Sequence, residues 1–264
     1  MMLQRSLYID NLKSLLIFLV VYGHFISIMQ ENTCCGIIYN CIYSFHMPLF
    51  VFVSGYLSKN IDRQRLKDVD KVLFPYLIFQ LIGYFIYSKG NVFHRFNVFL
   101  PLQQNWYILA LFVWRMMLPY TRLFKARFVI IFSIIVAFYV GLFPEFGRFF
   151  TIHRIFYFFP LFLLGSCCED LEEKLIYLQK HKAFLMITLL IALIAIGTLT
   201  AINGKLHNAI IYAFRPSEAY LSITGFLLRV IGFVSSIIIS LCFVVSTYNM
   251  LSTRKLAGGG VKPY

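Results

Sequence analysis

Charged residues are scarce in this chain, and acidic residues are the scarcest of them. Aspartate and glutamate together number 11 among 264 residues, and all charged residues make up 13% of the sequence. A soluble globular domain has about 25% charged residues. Hydrophobic residues make up 60%, which is more than one soluble core of this size can bury. The shortage of charge therefore argues against an ordinary soluble domain and predicts a membrane protein.

The sequence also lacks a recognisable cleavable signal peptide. Its first apolar run begins near Leu12 and is longer than the apolar core of a signal peptide, and no small-x-small cleavage site follows it. We therefore expect this run to remain in the protein as a membrane span.

Metal-ligand motifs are missing as well. None of the six cysteines forms a C-x-x-C pair, so we predict no metal site and interpret the cysteines as small apolar residues. One alternative stays open: Cys41 can form a disulfide with Cys34 or Cys35 if their loop is extracytoplasmic.

Long hydrophobic runs are what the sequence has instead. A membrane helix needs about 20 mostly apolar residues to cross about 30 Å of hydrocarbon. Candidate runs lie at residues 12–28, 41–57, 72–87, 106–118, 128–143, 155–168, 184–202 and 221–245, the fourth and sixth being short. We predict an all-α, polytopic transmembrane helix bundle of about eight spans, forming one domain over residues 1–251, with a polar tail at 252–264.

Basic residues alternate between rich and poor segments along the chain, and cytoplasmic loops of membrane proteins are enriched in Lys and Arg. With the N-terminus inside, the outer segments carry only Lys89, Arg95, Arg148, Arg154, Lys205 and Arg215. The inner segments carry Arg5, Lys13, Lys59, Arg63, Arg65, Lys67, Lys71, Arg122, Lys125, Arg127, Lys174, Lys180, Lys182, Arg254 and Lys255. The alternation predicts a cytoplasmic N-terminus. It explains the net charge of +13 as topology, so membrane lipids rather than nucleic acid are the expected partners.

Two histidines lie inside predicted spans, where an ionisable group costs roughly 2.5–3.5 kcal/mol and suggests a partner or a function. His24 lies about 18 Å along the first span from Leu12, at 1.5 Å per residue. His46 lies near the outer end of the second span, just before Pro48. The alternatives are a packed histidine bonded across helices for His24 and an interfacial histidine for His46.

Other polar side chains lie at the outer ends of later spans. Asn105 and Trp106 begin the fourth span, and Arg154 begins the sixth. Interfacial anchoring explains an arginine or a tryptophan at such a position. The predicted topology puts them in the same outer half of the membrane as His24 and His46, so together they can line one polar cavity.

The inner side has its own candidates. Asp10 and Lys13 lie at i,i+3 spacing and can pair, and Lys67 and Lys71 precede the third span. These lysines either anchor the chain at the cytoplasmic face or bind the phosphates of a cytosolic donor.

Several of these segments resemble the family 3 membrane acyltransferases, in order, over about the first two-thirds of the chain. Residues 9–13 (IDNLK) and 20–24 (VVYGH) resemble the opening span, with ten residues between Lys13 and His24. Residues 45–50 (FHMPLF) with 54–56 (SGY) are similar to the second-span motif. Weaker similarities lie at 71–76 (KVLFPY), 106–109 (WYIL) and 154–165. Within the family, these motifs most resemble those of the subgroup that includes fucose 4-O-acetylase-like proteins.

The resemblance implies an enzyme of the bacterial cytoplasmic membrane. Such an enzyme moves an acyl group, usually acetyl from acetyl-CoA, to a hydroxyl of a surface polysaccharide or lipid-linked sugar. His24 then serves as general base, since an imidazole exchanges a proton near neutral pH, and His46 assists it or orients the acceptor. Lys13, Lys71 and Lys67 are expected at the donor phosphates. Arg154 and Asn105 are the candidates for contact with the acceptor or the developing oxyanion, and Asp10 and Trp106 are further substrate-binding candidates.

The chain also departs from the family pattern. Family members usually carry about ten spans, so we expect this chain to be C-terminally shortened by the last two. Two alternatives to an active enzyme stay open: a transporter or flippase for a glycan or its lipid-linked precursor, which also uses polar residues in spans, and an inactive remnant.

Overall fold

The computed structural model describes residues 6–59, 69–87, 100–102, 105–143, 151–202, 217 and 221–253. These ranges contain helices and connecting turns, and no strand. The helices, numbered α1 to α10, are Leu7–Ile26, Thr33–Tyr43, His46–Leu57, Phe74–Tyr87, Asn105–Thr121, Ala126–Val140, Ile152–Cys167, Leu171–Leu178, Lys182–Ile202 and Ile223–Thr253. Short 3-10 turns at Ser27–Met29 and Gln179–His181 and a π turn at Val69–Leu73 adjoin them.

The all-α membrane fold class is confirmed, and helix is present at each predicted span. Within the described ranges, four helical segments are long and apolar enough to cross a membrane: Leu7–Met29, Thr33–Leu57, Leu171–Ile202 and Ile223–Ser252. Shorter apolar helices cover Lys71–Ile86, Ala126–Val140 and Ile152–Cys167. The cytoplasmic position of the N-terminus stays a prediction.

Two helix starts lie well before the predicted ones because side chains cap them. The Ser6 hydroxyl accepts a hydrogen bond from the Ile9 amide, so α1 begins at Leu7 rather than near Leu12. The Asn32 side chain accepts from two first-turn amides and starts α2 at Thr33, eight residues before the predicted second span. Polar caps of this kind extend a helix beyond the apolar run that hydropathy detects.

The predicted second span is two helices rather than one. Helix α2 ends at Tyr43 and α3 begins at His46. Pro48 has no amide hydrogen, so the Ser44 carbonyl cannot receive the usual bond from four residues ahead, and the chain turns there. His46 is the first residue of α3 and lies in the middle of the Thr33–Leu57 segment. Its predicted place near the outer end of the span stays a prediction.

All six cysteines are free thiols, and the disulfide considered for Cys41 is not formed. Cys34, Cys35 and Cys41 lie on α2 rather than in a loop. Six or seven residues of helix separate the paired positions by about 9–10.5 Å along the helix axis, beyond the roughly 7 Å between Cα atoms that a disulfide can span.

The chain divides into two compact units. The first unit comprises the described parts of Met1–Val53, Cys168–Ala213 and Val230–Tyr264, and the second unit those of Ser54–Cys167 and Phe214–Arg229. Helix α10 continues to Thr253, two residues past the predicted domain boundary at 251. Residues 254–264 of the predicted tail lie outside the described residues, and the boundary itself stays a prediction.

In the first unit, α2 packs against α1 and α9. The Asn40 side chain donates to the Thr200 hydroxyl at 3.1 Å, and the Asn11 amide donates to the Leu251 carbonyl at 2.6 Å. In a bilayer the hydrophobic effect contributes little to helix association, because the lipid tails are as apolar as the side chains. Hydrogen bonds and close packing of small side chains hold the helices together instead. The outer surface of α9 is apolar, with Phe184 and Ile191 exposed, as expected of a helix that faces lipid.

In the second unit, α7 packs closely against α6 and also contacts α5. The Trp114 indole, fully buried, donates to the Ile155 carbonyl at 2.9 Å and its ring lies 5.4 Å from that of Phe162. The backbone of α3 approaches α7 at Gly55, where a β-carbon would lie 2.0 Å from the Phe162 carbonyl oxygen. Only glycine permits this approach.

Candidate functional site

Two histidines and a tyrosine form a cluster in the first unit, which we call the histidine cluster: His24, Tyr43 and His46. The Tyr43 hydroxyl lies 3.3 Å from Nδ1 of His24. The Tyr43 ring meets the His46 ring at a centroid distance of 4.7 Å and an angle of 64°. The two histidines were predicted as separate residues on separate spans, and the structure links them through one aromatic side chain.

The helices position this cluster by close packing. His24 lies in the last turn of α1. Its neighbour Gly23 has no β-carbon, and one built there would lie 3.0 Å from the edge of the Tyr43 ring. On the other side, Tyr39 stacks on Tyr43 with ring centroids 3.9 Å apart. Tyr43 is thus held between α1 and the preceding turn of its own helix.

The tautomer of His46 follows from its hydrogen bond. Its Nδ1 atom lies 2.8 Å from the Ile42 carbonyl, and a carbonyl can only accept. The neutral ring therefore carries its proton on Nδ1, and Nε2 keeps a lone pair that can take up a proton. His46 is buried, whereas His24 is partly exposed, so His24 is the more accessible of the two.

A second group of predicted residues lies in the second unit. The Arg154 guanidinium lies over the Trp106 ring at 5.1 Å, and Trp106 stacks on Phe158 at 5.5 Å. A guanidinium over an indole is a favourable cation–π arrangement. The side chains of Asn105, Trp106 and Arg154 thus lie at the starts of α5 and α7, as the sequence predicted.

Gln80 is a buried amide that sequence reasoning missed. Its oxygen accepts from the Leu102 amide and the Asn105 side chain, each at 3.1 Å, and its nitrogen donates to the Leu100 carbonyl at 2.7 Å. A single amide within the apolar run of α4 was the available signal. Gln80 fixes the segment that leads into α5 and so positions Asn105.

We expect Gln80→Leu to destabilise the protein by about 3 kcal/mol, because it leaves two donors and one acceptor without their buried partner. The check is the melting temperature of the detergent-purified protein. Gln30→Leu, at an exposed glutamine, is the control and should melt like the wild type. Equal melting of both variants would contradict the role of Gln80.

A line of polar side chains follows α3 and α5 within the second unit. The hydroxyls of Tyr107 and Ser54 share a hydrogen bond of 2.5 Å. Ser58 donates to the Ser54 carbonyl at 2.7 Å, and Nε of Arg115 donates to the Ser58 hydroxyl at 3.3 Å. The sequence interpretation overlooked Arg115, although an arginine inside a predicted span is itself a signal.

Arg229 is a second overlooked arginine, and its role is structural. It is fully buried and donates to the Ala137 carbonyl at 2.9 Å. Ala137 is one of the last four residues of α6, whose carbonyls lack partners within the helix. A cation also suits the negative C-terminal end of a helix dipole. Gly141 makes room for it, since a β-carbon there would meet the guanidinium at 2.0 Å.

The structure describes two of the three lysines predicted to bind the donor, Lys13 and Lys71. Lys13 and Asp10 are partly exposed on α1, and Lys71 is exposed in the π turn before α4. Lys67 lies outside the described residues. The Asp10–Lys13 ion pair and the phosphate-binding role of the lysines stay predictions.

The predicted shared cavity also stays a prediction. His24 and His46 belong to the first unit, and Asn105, Trp106 and Arg154 belong to the second.

Fold and side chains together define a class: an all-α membrane protein with a histidine cluster on apolar helices. Residues 6–255 match the sequence model of an acyltransferase domain, and the chain belongs to the family 3 acyltransferases. Nodulation protein NolL of Sinorhizobium fredii (strain NBRC 101917 / NGR234) is 40% identical over 58 residues. That segment covers 20% of this chain and 16% of the relative's length. No solved structure is significantly similar to the chain.

Proposed function

We propose that the protein is a multi-pass O-acyltransferase of the bacterial cytoplasmic membrane. It transfers an acetyl or other acyl group from an acyl-CoA to a hydroxyl of a surface polysaccharide or a lipid-linked sugar. Membership of the acyltransferase family supports the reaction class. The observation that carries the proposal is the histidine cluster, because it holds two imidazoles and a phenol together on predominantly apolar helices.

His24 is our candidate for the general base. Its Nδ1 atom faces the Tyr43 hydroxyl, whose oxygen can accept a hydrogen bond from the Nδ1–H group and so leave the Nε2 lone pair for the acceptor. His24 is also the partly exposed histidine of the cluster, which suits contact with a substrate. His46, held by the Ile42 carbonyl, assists proton transfer or orients the acceptor.

The proposed reaction proceeds as follows. Nε2 of His24 takes the proton of the sugar hydroxyl while its oxygen attacks the thioester carbonyl. The carbon–sulfur bond breaks as the new carbon–oxygen ester bond forms. The imidazolium then returns the proton to the thiolate of coenzyme A. The products are an O-acyl sugar and free coenzyme A, and no other reactant is needed.

Basic residues of α1 and of the π turn are our candidates for the donor phosphates. Lys71 is exposed and Lys13 partly exposed, so both ammonium groups can reach a ligand, and Lys is a common phosphate-binding residue. Lys67 is proposed for the same role from its place in the sequence. Acetyl-CoA is the expected donor.

Residues at the starts of α5 and α7 are our candidates for the acceptor. The Arg154 guanidinium is oriented by the Trp106 ring, and Asn105 is oriented by Gln80. Such pre-oriented donors can bind sugar hydroxyls or stabilise the developing oxyanion. Asp10 is proposed as a further acceptor-binding carboxylate.

Turnover of labelled acetyl-CoA by the purified protein, with and without a glycan acceptor, tests the proposal. We expect release of free coenzyme A that depends on the acceptor, and label in the glycan. Movement of unmodified glycan across the membrane of proteoliposomes, without acetyl-CoA turnover, would instead indicate a transporter and overturn the proposal.

The Tyr43 hydroxyl is expected to orient His24 without contacting the reacting atoms. Tyr43→Phe should therefore lower kcat about tenfold, with KM for the donor unchanged, because a misplaced base loses part of a contribution of about a hundred- to ten-thousandfold. Steady-state kinetics provide the check. Tyr39→Phe keeps the stacked ring and serves as the control. A Tyr43→Phe enzyme with wild-type kcat would rule out this orienting role.

A further inference from the structure

An apolar cavity of about 610 Å³ lies between α5, α6 and α7 in the second unit. This volume is in the range of ligand sites. The lining residues are mostly aromatic or aliphatic: Met117, Tyr120, Thr121, Phe124, Phe128, Val129, Phe132, Ser133, Val136, Phe156 and Phe159. Phe124, Phe128 and Phe132 are exposed, so the cavity is open to the surroundings of the helices.

The cavity offers little to a polar ligand. Its two small hydroxyls already donate to their own helices, Thr121 to the Leu118 carbonyl and Ser133 to the Ile130 carbonyl, each at 2.7 Å. A polar group that entered would lose its hydrogen bonds to water and gain few in return. The cavity therefore selects an apolar chain.

One end of the cavity is basic. The connection between α5 and α6 carries Arg122, Lys125 and Arg127, all exposed. Arg127 lies over the ring of Phe128, a lining residue, at 4.9 Å. The sequence has no aspartate or glutamate between Asp70 and Glu145, so this connection carries a net positive charge. Arg122 donates to the Lys59 carbonyl.

The start of α6 adds to this charge complementarity. Lys125 is its N-cap residue but makes no side-chain capping bond, and no acidic residue lies in the first turn. Two cations, Lys125 and Arg127, thus lie at the positive end of the helix dipole. This arrangement is unfavourable unless an anion is present. First-turn amides of a helix are suitable donors to a phosphate.

We propose that this cavity binds an anionic phospholipid. One acyl chain lies along the aromatic lining, and the phosphate of the headgroup lies at the start of α6, near Arg122, Lys125 and Arg127. Basic pockets between membrane helices on the cytoplasmic side bind anionic headgroups in this way, and the sequence predicts that this connection is cytoplasmic. None of the lining residues is a candidate residue for the acyl-transfer reaction.

Native mass spectrometry of the full-length protein tests the proposal, using phosphatidylglycerol and phosphatidylcholine with the same acyl chains. One basic residue near an anionic headgroup changes affinity about fivefold. The triple variant R122Q/K125Q/R127Q should therefore bind phosphatidylglycerol about a hundredfold more weakly than the wild type. The matched control K174Q/K180Q/K182Q removes three other cations of the predicted inner side and should bind like the wild type. Equal loss in both triple variants would overturn the proposal.

A second variant tests the apolar part of the site. Val136→Phe fills the cavity and should weaken phosphatidylglycerol binding about tenfold, while Ile191→Phe on the exposed face of α9 should have no effect. In the wild-type protein, shortening the acyl chains should weaken binding, and inorganic phosphate should not displace the lipid. Binding indifferent to Val136→Phe or to chain length, displacement by phosphate, or stronger binding of a polyprenyl phosphate would each overturn the assignment.

Discussion

Replacing His24 by alanine is expected to lower the rate of acyl transfer by about a hundred- to ten-thousandfold, the usual contribution of a general base. The variant loses the nitrogen proposed to take the acceptor proton, and neither Tyr43 nor His46 can supply it from the same position. Protein abundance in the membrane should not change, because His24 is only partly buried. The measurement is acceptor-dependent release of coenzyme A from labelled acetyl-CoA.

The control for this variant is His181→Ala, at an exposed histidine of the 3-10 turn before α9, which should keep full activity. His46→Ala separates the two roles within the histidine cluster. If His46 only assists, His46→Ala should lower the rate of acyl transfer less than His24→Ala does. Full activity of His24→Ala would disprove its assignment as base, and a larger loss in His46→Ala would transfer the role to His46.

Gly55→Ala is expected to prevent normal folding of the second unit. The added β-carbon would lie 2.0 Å from the Phe162 carbonyl oxygen, and a backbone atom cannot rotate away as a side chain can. The helices α3 and α7 would have to separate. Overpacking typically costs about 1–3 kcal/mol, and a backbone clash of this size should cost at least about 3 kcal/mol. The readouts are membrane abundance and the melting temperature in detergent.

The matched control is Gly197→Ala on α9. Its added β-carbon would meet only the Ile37 side chain, at 3.4 Å, which is close to ordinary contact. This variant should be as abundant and as stable as the wild type. Similar behaviour of the two alanine variants would contradict the close approach of α3 to α7.

The packing also gives three of the quoted sequence motifs a physical meaning. Ser54 and Gly55, from the second-span motif, contact Tyr107 and Phe162. Tyr107 belongs to the WYIL segment, and Phe162 lies within residues 154–165. These segments share contacts inside the second unit, so part of the resemblance reflects helix packing rather than chemistry. Gly55→Ala therefore tests structure, whereas His24→Ala tests chemistry.

Hydropathy located the helices but not all of their ends. Apolar runs are local properties of the chain, and each predicted span contains helix in the structure. The caps at Ser6 and Asn32 moved two helix starts to earlier residues, and the missing amide hydrogen of Pro48 divided the second predicted span into two helices. These effects depend on single polar atoms that a hydropathy average does not resolve. Arg115, Arg229 and Gln80 were overlooked for a related reason, since each is one polar residue within an apolar run.

The sequence by itself determined that this chain is an all-α membrane protein of an acyltransferase type, with His24 and His46 as its unusual residues. Composition and hydropathy suffice for the fold class because the bilayer imposes the same demand on every span. The acyltransferase type rests instead on the resemblance of residues 9–13, 20–24, 45–50 and 54–56 to that family. Only the tertiary structure decided that Tyr43 lies between the histidines, that Gln80 holds Asn105, and that Arg229 caps α6. Those contacts depend on how each helix is rotated about its axis and packed against its neighbours. That packing is determined jointly by residues that lie far apart in the sequence.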